Sequence, residues 1–139
     1  MRKLLFALAA VALAIALVPS RSEALGGEAL ECVVSGSTPI TFTSPGCRSK
    51  KPKPSYIVTF RLRNGAGSYG FAWNTNGWPV SSGCGPQSTT CAVNASSVQD
   101  DTNVTVSATI SQNGQSMVLT SNAHLQAVCR DYEGDWVWC

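Results

Sequence analysis

The chain has 139 residues, of which 44% are hydrophobic and 13% charged, with ten Lys and Arg against eight Asp and Glu and a formal net charge of +2. So small an imbalance gives no general electrostatic reason to hold nucleic acid or an anionic membrane. With six cysteines and one histidine, the chain lacks the paired Cys and His clusters of a zinc site, and C-x-x-C is absent.

Arg2 and Lys3 precede an unbroken apolar run from Leu4 to Val18, followed by Pro19, Ser20 and a polar stretch. This is the pattern of a signal peptide. Ser22 and Ala24 occupy small-residue positions, so cleavage is expected between Ala24 and Leu25. The apolar run is shorter than the roughly 20 residues that a spanning helix needs. Leu30 and Glu31 before Cys32 do not make the small-residue context of lipoprotein processing. The expected product is a soluble, secreted or periplasmic single domain, residues 25–139, with no membrane insertion after cleavage. Removing the leader takes away three basic residues and one acidic residue, which leaves seven of each sign. The basic character therefore belongs to the targeting segment.

No helical period appears in the rest of the chain; strands and turn residues alternate. Short strands are expected at Glu31–Ser35 and Pro39–Thr43. The segment Ser44–Pro54 carries three prolines and most of the basic residues, Arg48, Lys50, Lys51 and Lys53 among them, and reads as an exposed loop or irregular edge. Tyr56–Arg63 is the clearest strand: Tyr56, Val58, Phe60 and Leu62 share one face while Thr59, Arg61 and Arg63 share the other. Asn64-Gly65 follows, and Tyr69, Phe71 and Trp73 alternate again, with Trp73 read as core; the two runs suggest a hairpin. Asn74–Ser88, rich in Gly, Pro, Ser and Asn, reads as a long connection, and Thr90–Ala95 as a strand. Val104, Val106, Ala108 and Ile110 alternate towards Asn113-Gly114, the strongest hairpin signal in the chain, with Gln115–Ser121 returning. Leu125–Arg130 and Trp136–Trp138 complete the set. Seven or more short strands at this spacing predict an all-β, antiparallel, immunoglobulin-like β-sandwich.

An even number of cysteines in an exported chain predicts three disulfides. Loop length favours Cys84 with Cys91, Cys129 with Cys139, and Cys32 with Cys47, although 15 pairings are possible. A mature chain of about 115 residues can bury a core of its own, so the bridges would reinforce the domain.

Tyr69-Gly70-Phe71-Ala72-Trp73 after a long alternating strand, and Asp101-Thr102-Asn103-Val104-Thr105-Val106 leading into an Asn-Gly turn, resemble the bacterial immunoglobulin-like and polycystic-kidney-disease-type sandwich modules of exported proteins. The resemblance covers roughly residues 56–127. It implies a spacer, an adhesion unit or a carbohydrate or protein contact, with no shared catalytic residues. The three potential disulfides depart from a typical array member and argue against a pure spacer.

Catalytic motifs do not emerge. Gly65-Ala66-Gly67-Ser68-Tyr69-Gly70 matches a dinucleotide fingerprint as a string, but a strand follows where a helix is required. His124 stands alone, and no nucleophile-elbow pattern accompanies the many serines. Asp100 and Asp101 read as turn initiators. Asp131, Glu133 and Asp135 would bind calcium only in a suitable loop, and neither metal nor cofactor is expected. Asn94-Ala95-Ser96 and Asn103-Val104-Thr105 are glycosylation acceptors if the source is eukaryotic.

The aromatic residues outside the clear strands are the most suggestive feature. Trp78 follows a polar, glycine-containing turn; Trp136 and Trp138 alternate beside Tyr132, next to Cys139. Exposed rings of this kind suit stacking on sugars or anchoring a protein. The sequence thus points to a non-enzymatic module whose partner is a protein or glycan at a surface, with Trp78, Tyr132, Trp136 and Trp138 as the binding residues. The alternative is a small disulfide-rich effector, an inhibitor or toxin, working through the basic loop that holds Lys50 and Lys51.

Overall fold

Apolar side chains at every second position make one face of a strand water-avoiding, and two such faces bury each other. The computed structural model of the protein describes residues 25–139 and puts this rule to use in two layers; the expected leader, residues 1–24, lies outside the described residues. The strands are β1 (Ala29–Val34), β2 (Gly46–Arg48), β3 (Tyr56–Arg63), β4 (Gly70–Asn74), β5 (Val80–Gly83), β6 (Thr90–Ala95), β7 (Thr102–Gln112), β8 (Gln115–Leu125), β9 (Val128–Arg130) and β10 (Trp136–Trp138). One sheet has the order β1-β3-β6-β5, the other β2-β8-β7-β4, and β9 with β10 forms a separate ribbon. All pairings are antiparallel except that of β2 with β8. No helix occurs among the described residues.

The inward faces meet in a core that both sheets supply. Val34, Tyr56, Val58, Phe60 and Val93 come from one layer, Val104, Val106, Ala123 and Leu125 from the other. A second cluster under the far end holds Leu30, Phe71, Ala108, Ile110 and Leu119. Buried polar groups are partnered: Ser121 Oγ donates to the Pro45 carbonyl at 3.0 Å and Ser97 Oγ to the Gln126 carbonyl at 2.8 Å. The Arg61 guanidinium pairs with the buried Glu31 carboxylate and lies 3.7 Å from the centroid of the Phe42 ring.

The β7–β8 hairpin turns on Asn113 and Gly114, with φ of 52° and 76°. Positive φ at both central positions is what a type I′ turn demands. The expected hairpin of the Tyr56 and Tyr69 runs is not formed. Strand β3 has β1 on one edge and β6 on the other, so no edge is left for β4, which pairs with β7 in the opposite sheet. Gln112 Nε2 holds the crossing loop through the carbonyls of Ala66 and Ser68. Alternation specifies a half-buried strand but not its neighbour, and both runs keep their predicted faces.

Other departures are local. Residues 39–43 form no strand and contribute one bridge, Thr43 to Cys32. The Asn74–Ser88 connection contains β5, the Ser44–Pro54 loop contains β2, and the Leu125–Arg130 run is divided between the end of β8 and β9. Gly46 explains how β2 can lie so close to β8: a Cβ there would stand 2.6 Å from the Asn122 carbonyl oxygen. The bridges join Cys32 to Cys47, Cys84 to Cys91 and Cys129 to Cys139, the pairs that loop length favours.

Candidate functional site

The four aromatic candidates fall on two elements. Trp78 belongs to the β4–β5 crossover at one margin of the layers, where it is half-buried and packs against the main core cluster. It is held there by neighbours that are themselves bonded, Trp78 N to the Thr75 carbonyl and Asn94 N to the Pro79 carbonyl. Trp73 sits at the same margin, stacked on Phe71 with ring centroids 5.6 Å apart and its Nε1 donating to the Ser88 carbonyl. The polar turn before Trp78 suggested a free ring, but the crossover closes over the core and takes the indole with it.

Tyr132, Trp136 and Trp138 share the C-terminal ribbon. Register places Trp136 opposite Arg130 and Val137 opposite Cys129. The Arg130 guanidinium lies 4.6 Å from the centroid of the Trp136 ring, and its Nη1 donates to the Gly134 carbonyl at 2.6 Å. Asp131 closes the intervening turn: its Oδ1 accepts from the N–H groups of Glu133 and Asp135, both at 2.9 Å, and its N–H donates to the Asp135 carbonyl. Short polar side chains bond their own backbone two residues on in just this way. At the apex Tyr132 is 95% exposed. The Cys129–Cys139 bridge and the bond from Cys139 N to the Ala127 carbonyl shut the base of the ribbon. A groove of about 470 Å³ runs beside it, lined by Val98, Gln99, Cys129, Arg130 and Trp136.

The carboxylates of Asp131, Glu133 and Asp135 offer oxygens within 4.8 Å of one another. The Asp131 oxygen already serves as the acceptor that shapes the turn. His124 lies elsewhere, on β8, with Nδ1 3.2 Å from Asn103 Oδ1 and Nε2 3.6 Å from Asp101 Oδ2. Asp101 lies just before β7 and its Oδ1 accepts from Ala127 N at 2.7 Å.

A second concavity, of about 580 Å³, opens at the margin where β1 and β2 meet. Thr41, Thr43, Arg48, Lys50, Asn122 and His124 line it, together with Val33 and the Cys47 end of a disulfide. Sequence reasoning noticed the basic loop and missed this assembly, because β2 reaches β8 across some 76 positions of the chain. The loop is ordered from below. The Tyr56 hydroxyl, on a residue 2% exposed, donates to the Lys51 carbonyl at 2.9 Å and accepts from Lys53 N at 3.1 Å. Buried Ser49 joins it to β8, its N–H donating to the His124 carbonyl and its Oγ accepting from Gln126 N.

No family model matches the chain, and no curated protein or solved structure does either.

Proposed function

We propose that the protein is an exported, non-enzymatic binding module of immunoglobulin-like architecture that holds a surface partner, protein or glycan, through its C-terminal ribbon. The observation that carries this reading is Tyr132, 95% exposed at the apex of a turn locked by Asp131 and closed by a disulfide. A large ring carried in water on a fixed turn contributes little to folding and offers apolar area for association, with the cost of ordering the turn's backbone already met in the free protein. Trp136 and the groove beside it extend the same surface, while Arg130 occupies one side of that indole. Trp78 is left out of the site by its packing against the core.

The immunoglobulin-like reading is supported by strand order. Taking β1, β3, β6 and β5 as A, B, E and D, and β8, β7 and β4 as G, F and C, the two sheets follow the ABED and CFG arrangement, with β2 added parallel to β8. A tryptophan on the strand equivalent to C, Trp73, fits as well. The disulfides lie elsewhere than the B–F bridge of antibody domains. Three bridges suit an oxidising compartment.

The test is a screen of the purified protein against immobilised glycans and intact cell surfaces, repeated with Tyr132→Ala and Trp136→Ala. Loss of a saturable interaction by about tenfold or more at an unchanged melting temperature is expected. Retention of every interaction in both variants would remove the proposal. The effector alternative rests on the rigid basic loop pinned by Tyr56; inhibition of a protease or of growth, abolished by Lys50→Ala with Lys51→Ala, would favour it instead.

A further inference from the structure

We infer that the cleft at the β1–β2 margin is a binding site for a tetrahedral oxyanion ester, a phosphate or sulfate group carried on a small apolar body. The site is separate from the C-terminal ribbon and does not depend on the ribbon's role.

Charge is the first argument. Arg48 and Lys50 come from the β2 region and His124 from β8, and register places Arg48 directly beside His124. Neither Arg48 nor Lys50 has a carboxylate partner; among the described residues Arg61 pairs with Glu31, and the His124 imidazole lies 3.6 Å from Asp101. Asp101, 3.6 Å from His124 Nε2, is the carboxylate that borders the cleft. Cations therefore outnumber it in a chain whose described part carries seven charges of each sign.

Shape and rigidity are the second. A cleft of about 580 Å³ falls within the span of small-ligand sites, about 300 to 1,000 Å³. Thr41, Thr43 and Asn122 form polar wall, with the Thr43 hydroxyl already donating to the Gly46 carbonyl and Asn122 Nδ2 to Thr105 Oγ1, and Val33, Pro45 and Cys47 form apolar wall. An oxyanion takes charge-assisted hydrogen bonds from guanidinium and ammonium groups, and an apolar body beside it loses contact with water. Ser49 and Tyr56 hold the cationic segment in place before any ligand arrives. An organised site loses less freedom on binding.

Lysines and arginines on an edge strand also serve to repel a second sheet, so the test must separate ligand binding from edge protection. Phenyl phosphate is titrated into the oxidised protein at fixed ionic strength and followed by amide chemical shifts, with phenyl sulfate, inorganic phosphate and benzyl alcohol as parallel probes. Saturable shifts at Thr41, Thr43, Arg48, Asn122 and His124 are expected with one or both esters, weaker ones with inorganic phosphate and none with the alcohol. The phosphate and sulfate arms identify which ester is preferred. Arg48→Ala with Lys50→Ala should weaken the preferred ester by about tenfold or more, whereas Lys51→Ala, which removes one charge outside the lining, should not. Equal affinity in the double variant, equal losses with Lys51→Ala, or no saturation with any anion would overturn the inference. Self-association of the double variant with probe binding intact would identify the charges as edge protection alone.

Discussion

The Cys32–Cys47 bridge spans 15 positions and the Cys129–Cys139 bridge spans 10, so restriction of the unfolded chain assigns each about 3 kcal/mol. Their surroundings are unlike. Cys32 is wholly buried, a member of the main core cluster, and its bridge joins β1 of one sheet to β2 of the other. The Cys129–Cys139 bridge lies at the base of a two-stranded ribbon that carries an exposed aromatic. Two crosslinks of similar entropic weight therefore act at different levels. One belongs to the packing that makes the fold, the other closes a ribbon that presents an exposed surface.

Replacing Cys32 and Cys47 with alanine should have the largest effect, a loss exceeding about 3 kcal/mol, because a buried void is added to the freed chain. Against a typical total of about 5 to 15 kcal/mol, the urea midpoint should fall steeply. An equal fall for the Cys129→Ala, Cys139→Ala variant would break the comparison. That second variant should lose only about 1 kcal/mol globally, since the freed ribbon gains disorder in the native state as well as the unfolded one. Amide exchange at positions 129, 137 and 139 should rise sharply while β7 and β8 stay protected, and binding that depends on Tyr132 should disappear.

Ser121→Ala sharpens the same contrast at the attachment of β2. It deletes the bond to the Pro45 carbonyl and should lower stability by about 1 kcal/mol without altering the ribbon. The smallest effect is expected at Glu28. Its carboxyl is held below the ordinary carboxylate range by the Gly26 N–H first, then by its own N–H, with the Tyr69 hydroxyl and the Gly27 N–H adding to them against slight desolvation. A lowered folded pKa means that this contribution is present above the ordinary carboxylate pKa and is lost as pH falls through the lowered one. Glu28→Gln should match the parent below that range and differ slightly at neutral pH, as thermal melts on either side would register.

Much of the layered core is legible in the chain. The bounds of β3, β6 and β10 coincide with those expected, and Asn113-Gly114 places the β7–β8 turn. What escapes is partnership. Tyr69, Phe71 and Trp73 alternate whichever sheet they join, and only the occupied edges of β3 send them across. β2 and β5 are too short for any period to emerge: Gly46-Cys47-Arg48 and Val80-Ser81-Ser82-Gly83 read as turn chemistry. Of the candidate sites, the ribbon was visible because its residues are neighbours in sequence. The cleft was half visible, in its basic loop, while Asn122 and His124 fell between the expected strands Gln115–Ser121 and Leu125–Arg130. Trp78 is half-buried against the core, which the polar turn before it does not announce.

The parallel pairing of β2 with β8 also bears on how the chain is assembled in time. A polypeptide is delivered from its N-terminus, and Ser121 lies 76 positions after Pro45. Cys32 and Cys47 are both available, and can be oxidised, long before the strand that β2 must lie against has emerged. During that interval β2 lacks the strand it pairs with in the folded protein, since β8 follows it by some 70 positions. A nascent chain that stops short of Gln115 would hold its first bridge with nothing yet to pack against one end of it.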